Sequence, residues 1–209
     1  MHASSSSSEN PAARTPALGF RRTLANGWRH FLTITRHKAL VMRHCFRVGL
    51  YKQGLLHDLS KYSPSEFMTG VRFYTGTHSP NAESRRQTGI SRAWLHHKGR
   101  NKHHFEYWID MSLDGDHRLV GFRMPYRYVA EMFCDRLAAS KVYRGAAYDP
   151  GHPWQYYHAG IEGSPYLHPK THEELSRLLI MLRDEGEAAT FAWLKGELRR
   201  RKRARDYYG

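Results

Sequence analysis

Residues 54–67, GLLHDLSKYSPSEF, set an imidazole and a carboxylate side by side directly after the apolar pair Leu55-Leu56. His57 and Asp58 are either a helix turn showing two polar groups to water or a pair of metal ligands at the edge of a core. Two further residues favour the second reading. Among the 15 histidines, His30, His37 and His44 recur every seven residues and share one helical face. His37 has Ile34, Leu40 and Val41 as neighbours on that face, which turns it inward. Asp135 has Met132, Ala138 and Ala139 around it at helical spacing. A carboxylate facing such a stripe is costly unless a cation, an arginine or a metal compensates it. A buried ion pair with an arginine is the plainer account of Asp135. Mixed imidazole and carboxylate donors suit Zn, Mn, Fe or Ni better than Ca, which prefers oxygen. Carried by three helices, His37, the His57-Asp58 pair and Asp135 could converge on one ion within a bundle.

The elements that must position these residues follow from the apolar pattern. Phe31, Ile34, Val41 and Val48 predict a helix over about 20–50, and Gly49 and Gly54 bracket a turn after it. LLHDLSKY reads as a short helix. Ser63, Pro64 and Glu66 form the next start signal, with Glu66 completing a capping box and the helix reaching about Thr75. GTHSPNAESRRQTG reads as loop or irregular helix. SRAWLHH is helical with Ser91 as cap, KGRN is a tight connection, and Asn101 caps a helix over KHHFEYW. DMSLDGDHRLVG carries an Asp-Gly turn and suits a small β-ribbon near 111–122. Pro125 opens and Gly145 closes a further helix. Residues 148–168, rich in Gly, Pro and aromatics, read as a packed lid or a functional loop. Thr171 and Glu174 make another capping box before the stripe Leu175, Leu178, Leu179 and Leu182, Gly186 ends that helix, and a final one carries the basic tail. The expectation is an all-α single domain over 20–198, with a disordered N-terminal tail, 1–19, and a basic C-terminal tail, 199–209.

Composition narrows the setting. No run approaches the roughly 18 apolar residues of a membrane span, and the serine-rich N-terminus has no signal-peptide core. Cys45 and Cys134 are too few for a disulfide framework, which suits a reducing cytoplasm. There is no Rossmann or P-loop glycine pattern. The net charge is +14, and residues 195–206 hold seven basic and two acidic side chains, a local +5. Such a tail favours nucleic acid, a phosphorylated ligand or an acidic protein, and is otherwise a solvated helix end.

His37, then HD at 57–58, then Asp135 on a later helix resembles the signature of the HD-type metal-dependent phosphohydrolases. LLHDLSK is similar to that superfamily's leucine-rich run into His-Asp-x-Gly-Lys, with Ser60 standing where the pattern has Gly. More specifically, GLLHDLSKYSPSEF, AWLHHKGRNKHHFEYW and MPYRYVAEMFCDRLAA resemble an uncharacterised bacterial and phage family over about residues 34–185. The HD resemblance implies an HD-like helical domain with His37, His57, Asp58 and Asp135 around a divalent transition metal (Mn, Fe, Ni, Co or Zn). One or two ions are implied, with Asp58 bridging to the second. His44 rivals His37 but lies only 13 positions before His57, against 20 for His37, which better suits a helical hairpin. HD subgroups with two or three metals carry extra histidines between the His-Asp pair and the final Asp, and HHKGRNKHH is similar to that arrangement. This implies His97, His103 and His104 as further ligands, with one member of each adjacent pair facing the site. A basic, His-rich surface turn is the alternative, while an HNH-type nuclease motif is excluded by the compact spacing and missing strands.

Such a centre implies a metal-dependent phosphohydrolase acting on a phosphomonoester or a nucleotide through a metal-activated water. Lys61, Lys98, Arg100 and Lys102 lie beside the candidate ligands and would neutralise phosphate charge. Asp58, Lys61 and Glu131 are the catalytic candidates, Glu131 sitting one turn before Asp135. Glu66 is a further candidate as general base or water-orienter, although its capping role accounts for it. Two rival readings stand beside this one. A nucleic-acid-binding module on an inactive HD-like fold would use the basic tail and Trp154, Tyr156 and Tyr157, and would have no need of the histidines. A structural metal site would staple the helices without turnover. No membrane partner is expected, and the oligomeric state is left open.

Overall fold

Apolar residues at helical spacing dominate the chain, and helices dominate the structure. The computed structural model describes residues 19–113, 115–160 and 164–206. The tail expected over 1–19 lies outside the described residues but for Gly19. In chain order the elements are α1 (Phe20–Arg47), α2 (Tyr51–Leu56), α3 (Pro64–Arg72), α4 (Pro80–Thr88), α5 (Arg92–Lys98), β1 (Ile109–Met111), β2 (Leu119–Gly121), α6 (Tyr126–Arg144), α7 (His152–Gly160) and α8 (Pro169–Arg203). Short 3-10 turns occupy Leu59–Tyr62, Phe105–Trp108 and Gly145–Ala147. The ribbon is a single antiparallel pair, with Asp110 opposite Val120. Among the described residues no helix is long and apolar enough to cross a membrane.

The core lies where α1, α6 and α8 meet. Val41 and Cys45, then Phe133, Cys134, Leu137 and Ala138, then Leu175, Leu178, Leu179 and Leu182 are all fully buried. The leucine stripe of α8 is therefore core, each side chain contributing about 1.5–3 kcal/mol of burial. α6 is central because it buries residues around most of its circumference, including the polar Glu131. α2 packs against α1 at a separation only glycine permits. A Cβ on Gly54 would stand 3.0 Å from Cys45 Cβ and 3.2 Å from Met42 Cα. That approach fixes where α2 ends. Lys38 of α1 then donates to the carbonyls of Leu55 (2.7 Å) and His57 (2.9 Å), satisfying two acceptors at the end of α2.

Several local expectations give way to longer-range contacts. No helix runs through LLHDLSKY: α2 stops at Leu56, His57 is extended (ψ 126°) and Asp58 is left-handed (φ 53°). α3 starts at Pro64 as expected and ends at Arg72, but Ser63 makes no side-chain cap and meets Ser65 instead, at 3.2 Å. GTHSPNAESRRQTG yields α4, with Pro80 in its first turn. KHHFEYW forms only the 3-10 turn from Phe105. Residues 148–168 contain α7, and its Tyr157 is fully buried with its hydroxyl 2.5 Å from His172 Nδ1, so this segment is part of the core rather than a detachable lid. α8 begins at Pro169, ahead of the expected Thr171 cap. Thr171 Oγ1 accepts from the Met124 amide (3.0 Å), and Glu174 binds Arg123 (2.8 Å) and Arg201 (3.1 Å). Gly186 breaks the helix as expected (φ 78°, ψ 177°), and a further helical stretch carries the basic segment to Arg203, also as expected. There Arg201 pairs with Glu197 (2.6 Å) and lies 3.9 Å over the Tyr126 ring, so part of the expected tail is folded onto the body.

His44 faces away from the other candidate ligands. Its Nδ1 is 3.5 Å from the Cys134 carbonyl and its ring packs on Phe191. Burial, aided by the nearby Lys141 charge, pulls its pKa from 6.5 to about 4. The unfolded chain thus binds more protons than the folded one between those values, so stability is full above pH 6.5 and falls as pH drops towards 4. Urea unfolding at pH 7 and 4.5 should show wild type losing about 2–3 kcal/mol more than His44→Leu over that interval. Equal losses would show that His44 is not held neutral.

Candidate metal centre

Five segments bring their polar residues to one place. α1 supplies His37, the turn after α2 supplies His57 and Asp58, α5 supplies His97, the turn before Phe105 supplies His103 and His104, and α6 supplies Glu131 and Asp135. His37 Nε2 lies 2.9 Å from Asp135 Oδ1 and 3.8 Å from Asp58 Oδ2. His57 Nε2 lies 3.3 Å from Asp58 Oδ2 and 3.6 Å from Asp135 Oδ1. On the other side of the same carboxylate, Asp58 Oδ1 is 3.4 Å from His97 Nε2 and 3.5 Å from His103 Nε2. His104 Nε2 completes this second group, 2.9 Å from His97 Nε2. Donors held about 2.1 Å from one cation stand about 3.0 Å apart at right angles and about 3.4 Å apart at tetrahedral angles. The observed separations match that spacing. Two sets of donors, sharing Asp58, are each close enough together that they could hold a cation.

The backbone explains how adjacent residues can share a site. Neighbours on a helix diverge by 100°. His57-Asp58 and His103-His104 both lie in turns, so both members of each pair reach the cluster. His96 and His97 are on α5 and do diverge: His97 Nε2 faces Asp58, whereas His96 meets only Glu66. A left-handed residue is unfavourable for most side chains but tolerated by aspartate, which suits Asp58 to its turn.

Outer carboxylates fix the rings. Glu131 Oε1 accepts from His57 Nδ1 (2.9 Å) and lies 3.3 Å from His103 Nδ1. Glu66 accepts from His97 Nδ1 (2.8 Å) and His96 Nδ1 (2.5 Å). With Nδ1 committed outward in this network, the Nε2 atoms of His57, His97 and His103 are directed inward. Asn101 ties the loop down, donating to Ser60 Oγ and the His97 carbonyl, both at 2.8 Å.

The inner atoms are left wanting a cation. His103 Nε2 and Asp58 Oδ1 are buried without a hydrogen bond, while His37 Nε2 is met by Asp135, and Asp58 Oδ2 by Lys61 and His57 Nε2. Four carboxylates (Asp58, Glu66, Glu131 and Asp135) face two ammonium groups, Lys61 at 2.5 Å from Asp58 Oδ2 and Lys38 at the His57 carbonyl. Neutral histidines would leave the cluster at −2. Burial alone would push the Asp58 carboxyl up, yet His57, Lys61 and His97 hold it well below the usual range. Burial also opposes the charged form of His57, but Asp58, Asp135 and Glu131 raise it well above its ordinary value. Burial and the adjacent His103 and His97 keep His104 neutral, its pKa well below normal. The residues fit a divalent ion: nitrogen and oxygen donors, surplus negative charge, and unpartnered atoms aimed at a common point.

Of the residues singled out in the sequence, His37, His57, Asp58, Lys61, His97, His103, His104, Glu131 and Asp135 are thus gathered together. Three are not. Arg100 is exposed and bonds the His96 carbonyl (3.3 Å), Lys102 is exposed over the Tyr107 ring, and Lys98 is half-buried at the end of α5. Glu66, set aside in the sequence for its capping role, and Lys38, not singled out there, also belong to the assembly. Glu66 sat in a capping-box pattern that explained it locally. Lys38 follows His37 directly, and that adjacency was the available signal.

A model of a family of unknown function, DUF5662, matches residues 26–181. No curated protein and no solved structure matches the chain. Because Glu66 serves the histidines and Ser63 caps nothing, their removal should have opposite consequences. Glu66→Ala should cost about 1–3 kcal/mol by stranding the buried His97 donor along with the half-buried His96, while Ser63→Ala should stay within about 0.5 kcal/mol. Chemical denaturation checks both, and a larger loss at Ser63 would restore the capping box.

Proposed function

The chain belongs to the DUF5662 family of unknown function, and we propose that it is a metal-dependent phosphohydrolase acting on a phosphomonoester or a nucleotide. The observation that carries this reading is Asp58, a buried carboxylate whose two oxygens each face a separate set of inward-aimed donors. The HD-like order of His37, His57-Asp58 and Asp135 supports it. His37, His57, Asp58 and Asp135 would hold one divalent ion, and Asp58, His97, His103 and His104 a second. An ion so held supplies Lewis acidity, drawing the pKa of water towards neutrality and polarising a phosphoryl oxygen.

The chain's own groups do the rest. Lys61, half-buried, is held protonated by Asp58 and Asp135, so it would present a fixed positive charge to phosphoryl oxygens. Glu131 keeps His57 and His103 in one tautomer and Glu66 does so for His97. The Asp135 side chain is 17% exposed, against 2% for Asp58, which marks the side from which water and substrate reach the centre. The depth of the remaining donors also favours a second reading, in which ions staple α1, α5 and α6 without turnover.

Elemental mass spectrometry on wild type and Asp58→Ala, both checked for fold by circular dichroism, addresses the metal. One or two transition-metal ions per wild-type chain, lost in the variant, is the expected result. No bound ion after reconstitution with Mn, Fe, Ni, Co and Zn would overturn both readings. Metal with no hydrolysis across a panel of phosphomonoesters and nucleotides would leave the staple. If turnover is found, Lys61→Met should lower kcat by about 10²–10³-fold with metal content unchanged.

A further inference from the structure

The N-terminal part of α1 turns large apolar side chains to water. Phe20 is 78% exposed, Leu24 59% and Trp28 63%, and Phe31 and Leu32 are exposed beside them. Trp28 stacks on Phe31 with ring centroids 5.9 Å apart. Leu24, Trp28 and Phe31 form one wall of an open apolar groove, and Phe67, Met68 and Val71 of α3 form the other. Met68 is itself 56% exposed. Single exposed apolar residues are ordinary, whereas a contiguous row of them marks an interaction surface.

The charges beside this row have one sign. At 100° per residue, Phe20, Leu24, Trp28 and Phe31 share an arc of about 80°, and Arg21, Arg36, Arg29 and Arg22 follow between about 100° and 200°. The buried Asn26, His30 and Ile34 take the third side of the helix. α1 carries seven lysines and arginines and no acidic residue, and no aspartate or glutamate occurs from Phe20 to His57. On α3 the single acid, Glu66, is buried against His96 and His97. Arg21, Arg22 and Arg29 are exposed, and none pairs with a carboxylate among the described residues.

The partner of such a face must supply an apolar layer and negative charge together. A second copy of this chain would set its own arginines against these, which like-charge repulsion opposes. A bilayer with anionic headgroups meets both demands: the apolar row enters the acyl boundary while the arginines extend their stems along it to the headgroups. The expectation of no membrane partner rests on the lack of a spanning run, and no helix among the described residues is long and apolar enough to cross. Lying on a membrane asks only for a one-sided basic helix. We propose that the N-terminal part of α1, with Met68 of α3, is a docking surface for an anionic membrane, Arg21, Arg22 and Arg29 meeting the lipid charge. It uses no residue of the metal centre and stands apart from the phosphohydrolase reading.

Co-sedimentation of the full chain with vesicles tests this, using phosphatidylcholine alone and with about 30 mol% phosphatidylserine. Wild type should bind the anionic vesicles at least about tenfold more tightly. Leu24→Glu combined with Trp28→Glu should lower that affinity about tenfold or more, with circular dichroism unchanged because both side chains are exposed. Leu113→Glu, at an 84% exposed leucine outside α1, should bind as wild type. Arg21→Glu with Arg22→Glu should weaken binding more than Arg199→Glu with Lys202→Glu on α8. No binding to anionic vesicles, equal binding to both compositions, or unchanged affinity in the α1 double variant overturns the proposal. So does an equal loss from Leu113→Glu or from the α8 reversal, either of which would mark the attraction as unspecific. A wild-type dimer in light scattering that Leu24→Glu with Trp28→Glu makes monomeric, without vesicle binding, would give the face to a second copy and likewise overturn it. Should that double variant fail to fold, Arg21→Gln with Arg22→Gln and Arg29→Gln decides: a tenfold loss supports the surface, and unchanged affinity overturns it.

Discussion

The structure is arranged around the cost of burying the Asp58 carboxylate. Oδ2 is met by the Lys61 ammonium while Oδ1 has no hydrogen bond, and the side chain is almost sealed from water. A carboxylate in that position must be compensated or it protonates. Lys61 compensates part of the charge from within the same turn. The remainder is spread over imidazoles that are themselves held by Glu131 and Glu66, which adds negative charge to the interior even as it orders the rings. The fold therefore has two interiors. One is apolar, between α6 and α8, where Phe133, Leu137 and the leucine stripe exclude water. The other is ionic, between α6, α1 and the His-Asp turn.

α6 separates the two, and its sequence shows how. Glu131 and Asp135, one turn apart, form a polar strip on a helix otherwise buried in apolar contacts. A helix with an apolar surface interrupted by one pair of acids cannot rotate without placing carboxylates in the leucine layer. The apolar core thereby fixes the rotation of the helix that carries two groups of the centre. Gly54 and Lys38 do the equivalent for the His-Asp turn, one setting its distance from α1 and the other holding its carbonyls.

Much of this was legible in the residues. Inward-facing His37 and Asp135, read from their neighbours at helical spacing, and the His57-Asp58 pair after two leucines do meet, and the helical architecture with its single ribbon follows the apolar pattern. What the sequence hid were cases where a local rule had a distant competitor. Ser63-x-x-Glu66 satisfies a capping box, yet two imidazoles 30 and 31 positions away win the carboxylate. Thr171 and Glu174 fit the same pattern and are taken by the Met124 amide and by arginines. The expectation that one of His103 and His104 would face away assumed a helix that the chain does not form there. Arg201, read as part of a solvated basic tail, stacks on Tyr126 because α8 is long enough to carry it back to the start of α6.

The contact between His37 and Asp135 spans 98 positions of the chain. Helical proteins generally fold quickly because their contacts are local, and most helices here can form from neighbouring residues alone. Bringing α1 and α6 together instead closes a loop that takes in α2 to α5 and the ribbon, at an entropic cost that grows with the logarithm of its length. Docking α1 on α6 is one of several long-range closures in this chain, Arg47 of α1 also reaching Glu187 of α8 at 3.5 Å, so the ionic interior raises the contact order of a largely helical fold.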